Sequence, residues 1–168
     1  MSRNLFYFTL VLISLIVWQY NTYSDVKEIA IDFRELNGDL SETEVLHRFG
    51  TLDLKCGTEE TNTMGERYCY AYIDQVNGLD ANMIAFFFEK DKLTQMKVDL
   101  KKNAHENALR YCLQEYGSVS KVKKPKIGEQ LVAWVFKDGM LVTSKEKSEG
   151  QNMLLWLSSH KMFQIFLN

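Results

Sequence analysis

Proline is nearly absent from this 168-residue chain: only Pro125 occurs, with nine glycines and three cysteines. So little proline and glycine, beside 12% aromatic residues, excludes a disordered or linker-like chain and points to ordered, strand-rich structure. Neither charge sign dominates, and a net charge of −2 excludes the strong basic excess of a nucleic-acid binder. There is no Gly-rich phosphate loop, no Ser-nucleophile elbow and no HExxH. His47, His105 and His160 are scattered and match no carboxylate or cysteine spacing. Catalytic and metal centres of the common motif classes are therefore not expected, and no cofactor is implied.

An uncharged run of 14 residues, Leu5–Trp18, follows Arg3. It is shorter than the roughly 20 residues of a spanning helix and has the shape of a signal-peptide core. Thr22 and Ser24 place small residues before Asp25, as a cleavage site does. Residues 1–24 are thus expected to be a signal peptide or, if uncleaved, an N-terminal membrane anchor that leaves the rest on the exported side. No Cys ends the run, which argues against a lipid anchor.

In an exported chain, Cys56 and Cys69 are the natural disulfide pair. They close a polar loop, and the chain-entropy model assigns such a closure about 3 kcal/mol. Cys112 falls on the apolar stripe Leu109, Cys112, Leu113, Tyr116, as a small buried hydrophobe would. Its helical distance from His105, about 10 Å, is too long for activation as a nucleophile.

The remaining pattern states one idea twice. Ser41 with Glu44, three residues on, forms a capping box, Val45, Leu46 and Phe49 give the buried face, and Gly50 offers a left-handed stop. Asn103 with Glu106 and Gly117 repeats that grammar, Gly117 lying 67 residues after Gly50. Strands are expected over Arg67–Ile73, Met83–Phe88, Leu93–Leu100, Leu131–Phe136, Leu141–Lys145 and Met153–Ser158. Asp138-Gly139 signals a tight hairpin turn, Asp91 a weaker one, and Asn77-Gly78 a turn between Asp74 and Asp80. Residues 25–40 read as a short strand or extended lead-in. The expected fold is α+β, with residues 25–101 and 102–168 each forming a helix-plus-three-strand unit. Their strands would build antiparallel sheet with the helices on one face.

Several strands are apolar on both faces. Tyr70, Tyr72, Trp134 and Trp156 are the candidates for gripping a protein partner, since such rings bury large area at low entropy cost. The bland reading is a sheet covered on both sides. Lys121, Lys123, Lys124 and Lys126 form the one basic cluster, either a solvated loop or a contact with anionic lipid headgroups. The apolar end Met162–Leu167 is expected to dock into the core or onto a partner.

The segment Asp39-Leu40-Ser41-Glu42-Thr43-Glu44-Val45-Leu46-His47-Arg48-Phe49-Gly50 resembles the opening of the SmpA/OmlA (BamE-like) envelope domain. The doubled form is similar to β-lactamase-inhibitor-protein-like domains, whose tandem units present an aromatic sheet face to a partner. The segments around Cys56, Arg67-Tyr68-Cys69 and Ala85–Phe88 also look like small exported proteobacterial proteins. Two departures stand out: there is no lipobox Cys, and Gly50 is followed by Thr51-Leu52 where the family has Pro. No functional residue carries over. The resemblance implies a non-enzymatic, periplasmic protein-binding module; a small-molecule or lipid binder using its apolar faces is the alternative.

Overall fold

Ser41 starts the first helix as its spacing to Glu44 requires. In the computed structural model, which describes residues 27–58, 65–120, 131–146 and 152–161, its hydroxyl accepts from the Glu44 N–H at 3.3 Å. The Glu44 carboxylate accepts in return from the Ser41 N–H at 2.8 Å. Helix α1 then runs over Glu42–Arg48 and α2 over His105–Tyr116. The strands are β1 (Glu28–Ile29), β2 (Lys55–Thr58), β3 (Arg67–Tyr72), β4 (Gln75–Val76) and β5 (Leu79–Glu89). They are followed by β6 (Lys92–Leu100), β7 (Leu131–Val135), β8 (Gly139–Ser144) and β9 (Asn152–Ser158).

The strands form a mostly antiparallel sheet. Its spatial order is β2-β3-β5-β6-β9-β8-β7, with β4 pairing the first residues of β5 and β1 lying outside β4. The β1–β4 pair is parallel, unlike every other pair. The fold is thus α+β, as expected. No helix among the described residues is long and apolar enough to cross a membrane.

Period-two alternation sorts each strand into two faces. The register aligns Cys69, Phe86, Met96, Trp156, Leu141 and Trp134 in one row across the sheet. That row lies in the core with Val45 and Phe49 of the α1 segment and Ala108 and Cys112 of α2. Phe49 and Phe86 bring their ring centroids to 4.8 Å. Both helices therefore cover the same face.

Several local expectations are corrected. Helix α2 begins one residue later than Asn103 implies, at an N-cap Ala104 that makes no side-chain cap bond. Gly50 is not a left-handed cap: Phe49 caps α1 with φ −108°, and Gly117 ends α2 at positive φ (+76°) but with ψ −152°, outside the left-handed helical cap. Leu46 faces solvent rather than the core. The lead-in yields a two-residue strand, although Ile31, Phe33 and Leu36 bury their side chains. Strand β2 forms at the edge of the expected polar loop; its Lys-Cys-Gly-Thr sequence has little strand preference, and pairing with β3 supplies the order. The apolar segment Leu5–Trp18, Lys121, Lys123, Lys124 and Lys126, and Met162–Leu167 lie outside the described residues.

Candidate functional site

Neighbouring residues on a strand point to opposite faces, so the residues beside the core row define the helix-free face, the one opposite α1 and α2. Its middle row aligns Tyr70, Ala85, Lys97, Leu155, Val142 and Ala133. On β3 this face carries Tyr68, Tyr70 and Tyr72 in succession. Tyr68 and Tyr70 stack at 6.2 Å between centroids, and Tyr70 meets Tyr72 edge-on at 5.8 Å. Such pairs add about 0.5–1.5 kcal/mol beyond the area they bury and hold the rings in place. Tyr72 ends the column 64% exposed. Tyr68 fits because Gly57, opposite it on β2, has no side chain: a Cβ there would lie 3.0 Å from the phenol oxygen.

The central strand interrupts the apolar surface. Lys97 Nζ lies 2.9 Å from Asp99 Oδ1 on the helix-free face, with the two side chains 15% and 24% exposed. Beyond it the β8–β9 side is closed, since Met140 and Leu157 are each 1% exposed and pack with Ala133 and Val142. The face is open at the Tyr68–Tyr70–Tyr72 column and, at its far edge, at Val135, which is 51% exposed.

Of the four aromatic candidates, the structure brings Tyr70 and Tyr72 together and separates both tryptophans from them. Trp134 and Trp156 are 2% and 0% exposed beneath the helices. The Trp134 indole N–H donates to the Gly117 carbonyl at 3.0 Å, so its polar tip is spent on the end of α2. Neither ring can reach a partner. Sequence reasoning left out Tyr68, although strict alternation Tyr-x-Tyr-x-Tyr was the available signal.

No family model, curated protein or solved structure matches this chain. The geometry alone carries the functional reading.

Behind the tyrosines, Cys56 and Cys69 are joined by a disulfide between directly opposed residues of β2 and β3. On the same side of the sheet Arg67 donates to both carboxylate oxygens of Glu42, at 2.5 and 2.7 Å, tying β3 to the start of α1. This contact holds the Glu42 carboxyl below its usual value, and burial opposes the shift only partly. Nothing in the local sequence signals this 25-residue pairing.

Other chemistry-bearing groups lie apart from the tyrosine column. His105 is buried on α2, with neither ring nitrogen hydrogen bonded among the described residues. Cys112 is fully buried, and its thiol is pushed up to about 12 by desolvation. Tyr116 packs among Phe33, Tyr111 and Phe136, and burial raises its phenol strongly. A cleft of about 410 Å³ opens at the sheet end between Gly38, Asp39, Lys92, Thr94, Asp138 and Ser158. Two of its polar groups bond within the fold: Thr94 Oγ1 donates to the Phe87 carbonyl and Lys92 Nζ to that of Asp39. Ser159 and His160 also line it.

Proposed function

We propose that the chain is a non-enzymatic protein-binding module of the bacterial envelope that grips its partner with the tyrosine column of β3. One observation carries the reading: three tyrosines in successive ring contact lie on the face opposite α1 and α2, and the outermost is 64% exposed. Tyrosines ordered before binding lose little further entropy on association, which is why such residues dominate interface energetics. The disulfide behind them stiffens the platform by clamping β2 to β3.

Export to the periplasm, with residues 1–24 as signal peptide or anchor, is supported by the disulfide and by the apolar run Leu5–Trp18. A doubled origin, in the manner of the BamE-like and β-lactamase-inhibitor-like domains, is supported by the topology. Strands β3-β5-β6 and β9-β8-β7 meet at the β6–β9 pair, with α1 preceding the first set and α2 the second. The small-molecule alternative calls for an apolar cavity, whereas the cleft at the sheet end is lined by Asp39, Lys92 and Asp138.

The test is in-cell crosslinking of the tagged chain followed by mass spectrometry, with the double variant Tyr70→Ala/Tyr72→Ala compared. The reading expects a specific crosslinked protein that the variant loses while keeping a native circular-dichroism spectrum. A folded variant that retains the same crosslinks would sink it.

A further inference from the structure

The Cys56–Cys69 bridge lies under a carboxylate. The two residues face each other directly across β2 and β3 with Cα atoms 4.0 Å apart. A carboxylate oxygen of Glu42, the first residue of α1, and both sulfur atoms all lie within 4.8 Å of one another. The Glu42 side chain is 15% exposed, and Arg67 orients it through both carboxylate oxygens. Cys56 is open to solvent, whereas Cys69 is fully buried.

We propose that reduction converts this bridge into a binding site for a thiophilic divalent cation, Zn²⁺ or its larger congener Cd²⁺. The two cysteine sulfurs and Glu42 would be its ligands. Two thiolates and a carboxylate are a donor set that zinc accepts in tetrahedral geometry, leaving a fourth position for water on the Cys56 side. Zinc–sulfur bonds of about 2.3 Å place two sulfurs about 3.8 Å apart in such a site. Cysteines facing each other across a 4.0 Å Cα separation reach that spacing by side-chain rotation alone.

Charge also closes. Two thiolates and one carboxylate balance a dication and the adjacent Arg67 guanidinium, so no net charge is left at a half-buried position. Arg67 acts as an outer partner that fixes the carboxylate, the role such residues play at known metal centres.

The step balances with a thiol as reductant. Its thiolate attacks the sulfur of solvent-open Cys56, forming a mixed disulfide and releasing Cys69 as the leaving thiolate. A second thiolate attacks the reductant's sulfur and frees Cys56, so two electrons pass to the cysteines and the reductant leaves as its own disulfide. Cation binding then displaces the thiol protons to solvent. The cation would cross-link the same two strands as the disulfide, so β2 stays clamped to β3 in either redox state.

The experiment reduces the purified chain with a phosphine, removes the reductant under argon and titrates with Cd²⁺. The readout is the ultraviolet thiolate-to-cadmium charge-transfer band. One equivalent should bind the reduced chain and none the oxidised one, with Zn²⁺ competing. Cys56→Ser should abolish the band, Glu42→Gln should weaken binding at least tenfold, and Cys112→Ala should leave it unchanged. A folded, reduced chain without the band, or an unchanged affinity in Glu42→Gln, overturns the proposal. Should reduction unfold the chain, recovery of its circular dichroism on adding Zn²⁺ supports the site, and failure to recover overturns it.

Discussion

The side-chain amide of Asn77 pairs in both directions with the backbone of Ile31. Its Oδ1 accepts from the Ile31 N–H at 2.7 Å, and its Nδ2 donates to the Ile31 carbonyl at 2.9 Å. Asn77 sits in the turn between β4 and β5 with φ +51°, a left-handed value that asparagine tolerates. One residue therefore makes the turn and fastens the lead-in segment to the sheet. Replacing it with glycine keeps the backbone conformation and removes both hydrogen bonds, which is expected to destabilise by about 1–3 kcal/mol. Asn77→Ala should lose about 1 kcal/mol more through its left-handed backbone. Urea unfolding of both variants separates the contributions, and a neutral Asn77→Gly would show that the amide contacts carry no stability.

Gly139 tests a different reason for glycine. A Cβ there would lie 2.4 Å from the Leu157 carbonyl oxygen and 2.7 Å from the Trp156 ring. Gly139→Ala must push β8 away from β9, and a loss of about 1–3 kcal/mol or more is expected from such overpacking. Gly78, by contrast, has open space around it but φ +73°. Gly78→Ala should therefore lose only about 1 kcal/mol. Thermal melts of the two variants should rank in that order.

The Glu42–Arg67 pair predicts an acid-sensitive fold. Arg67 depresses the folded-state carboxyl below its ordinary 4.5. The stabilisation is thus fully present above the unfolded value and disappears as pH falls through the lower folded value. Arg67 is 45% exposed, so solvent screening keeps the pair's contribution small. Arg67→Met should lose the pair's small contribution near neutrality and flatten the decline in unfolding free energy below about pH 4.5, so that the two curves converge in acid. A variant whose acid limb runs parallel to that of the parent would remove this pair from the account.

Cys112 should be inert until the protein unfolds. Its side chain is fully buried and desolvation pushes the thiol up to about 12, so almost no thiolate exists near neutrality. Iodoacetamide at about pH 8 should leave native protein unmodified and label one thiol per chain in denaturant. Mass spectrometry reads both states, and prompt labelling of the native chain contradicts the burial.

Much of the strand content was legible because alternation survives in the sequence. On β6 Met96, Val98 and Leu100 are buried and Lys97 and Asp99 between them are partly exposed, whereas polar Gln95 is buried against the alternation. The capping box at Ser41 and the Cys56–Cys69 pair were also readable, since each needs only local chemistry or cysteine arithmetic. Turn geometry was read less well. Lys90 and Asp91, without glycine, adopt left-handed angles of +50° and +59°, whereas Gly139 is required for space rather than for its dihedrals.

The tryptophans show where sequence reasoning stops. Tyr70 and Trp134 both sit in aromatic, β-rich strands, and nothing local tells which face each will occupy. A one-residue difference in register decides it, because side chains alternate between faces. Cross-strand pairing puts Trp134 and Trp156 in line with Phe86 beneath the helices, and Tyr70 in line with Ala85 on the other side. The sequence alone determined the kinds of element present, their approximate limits and the cysteine pair, since propensity, capping and period act over a few residues. Tertiary structure decided which aromatic side chains remain in contact with water and that Glu42 arrives beside the paired sulfurs. Those outcomes depend on strand register and helix placement across distances no local pattern encodes.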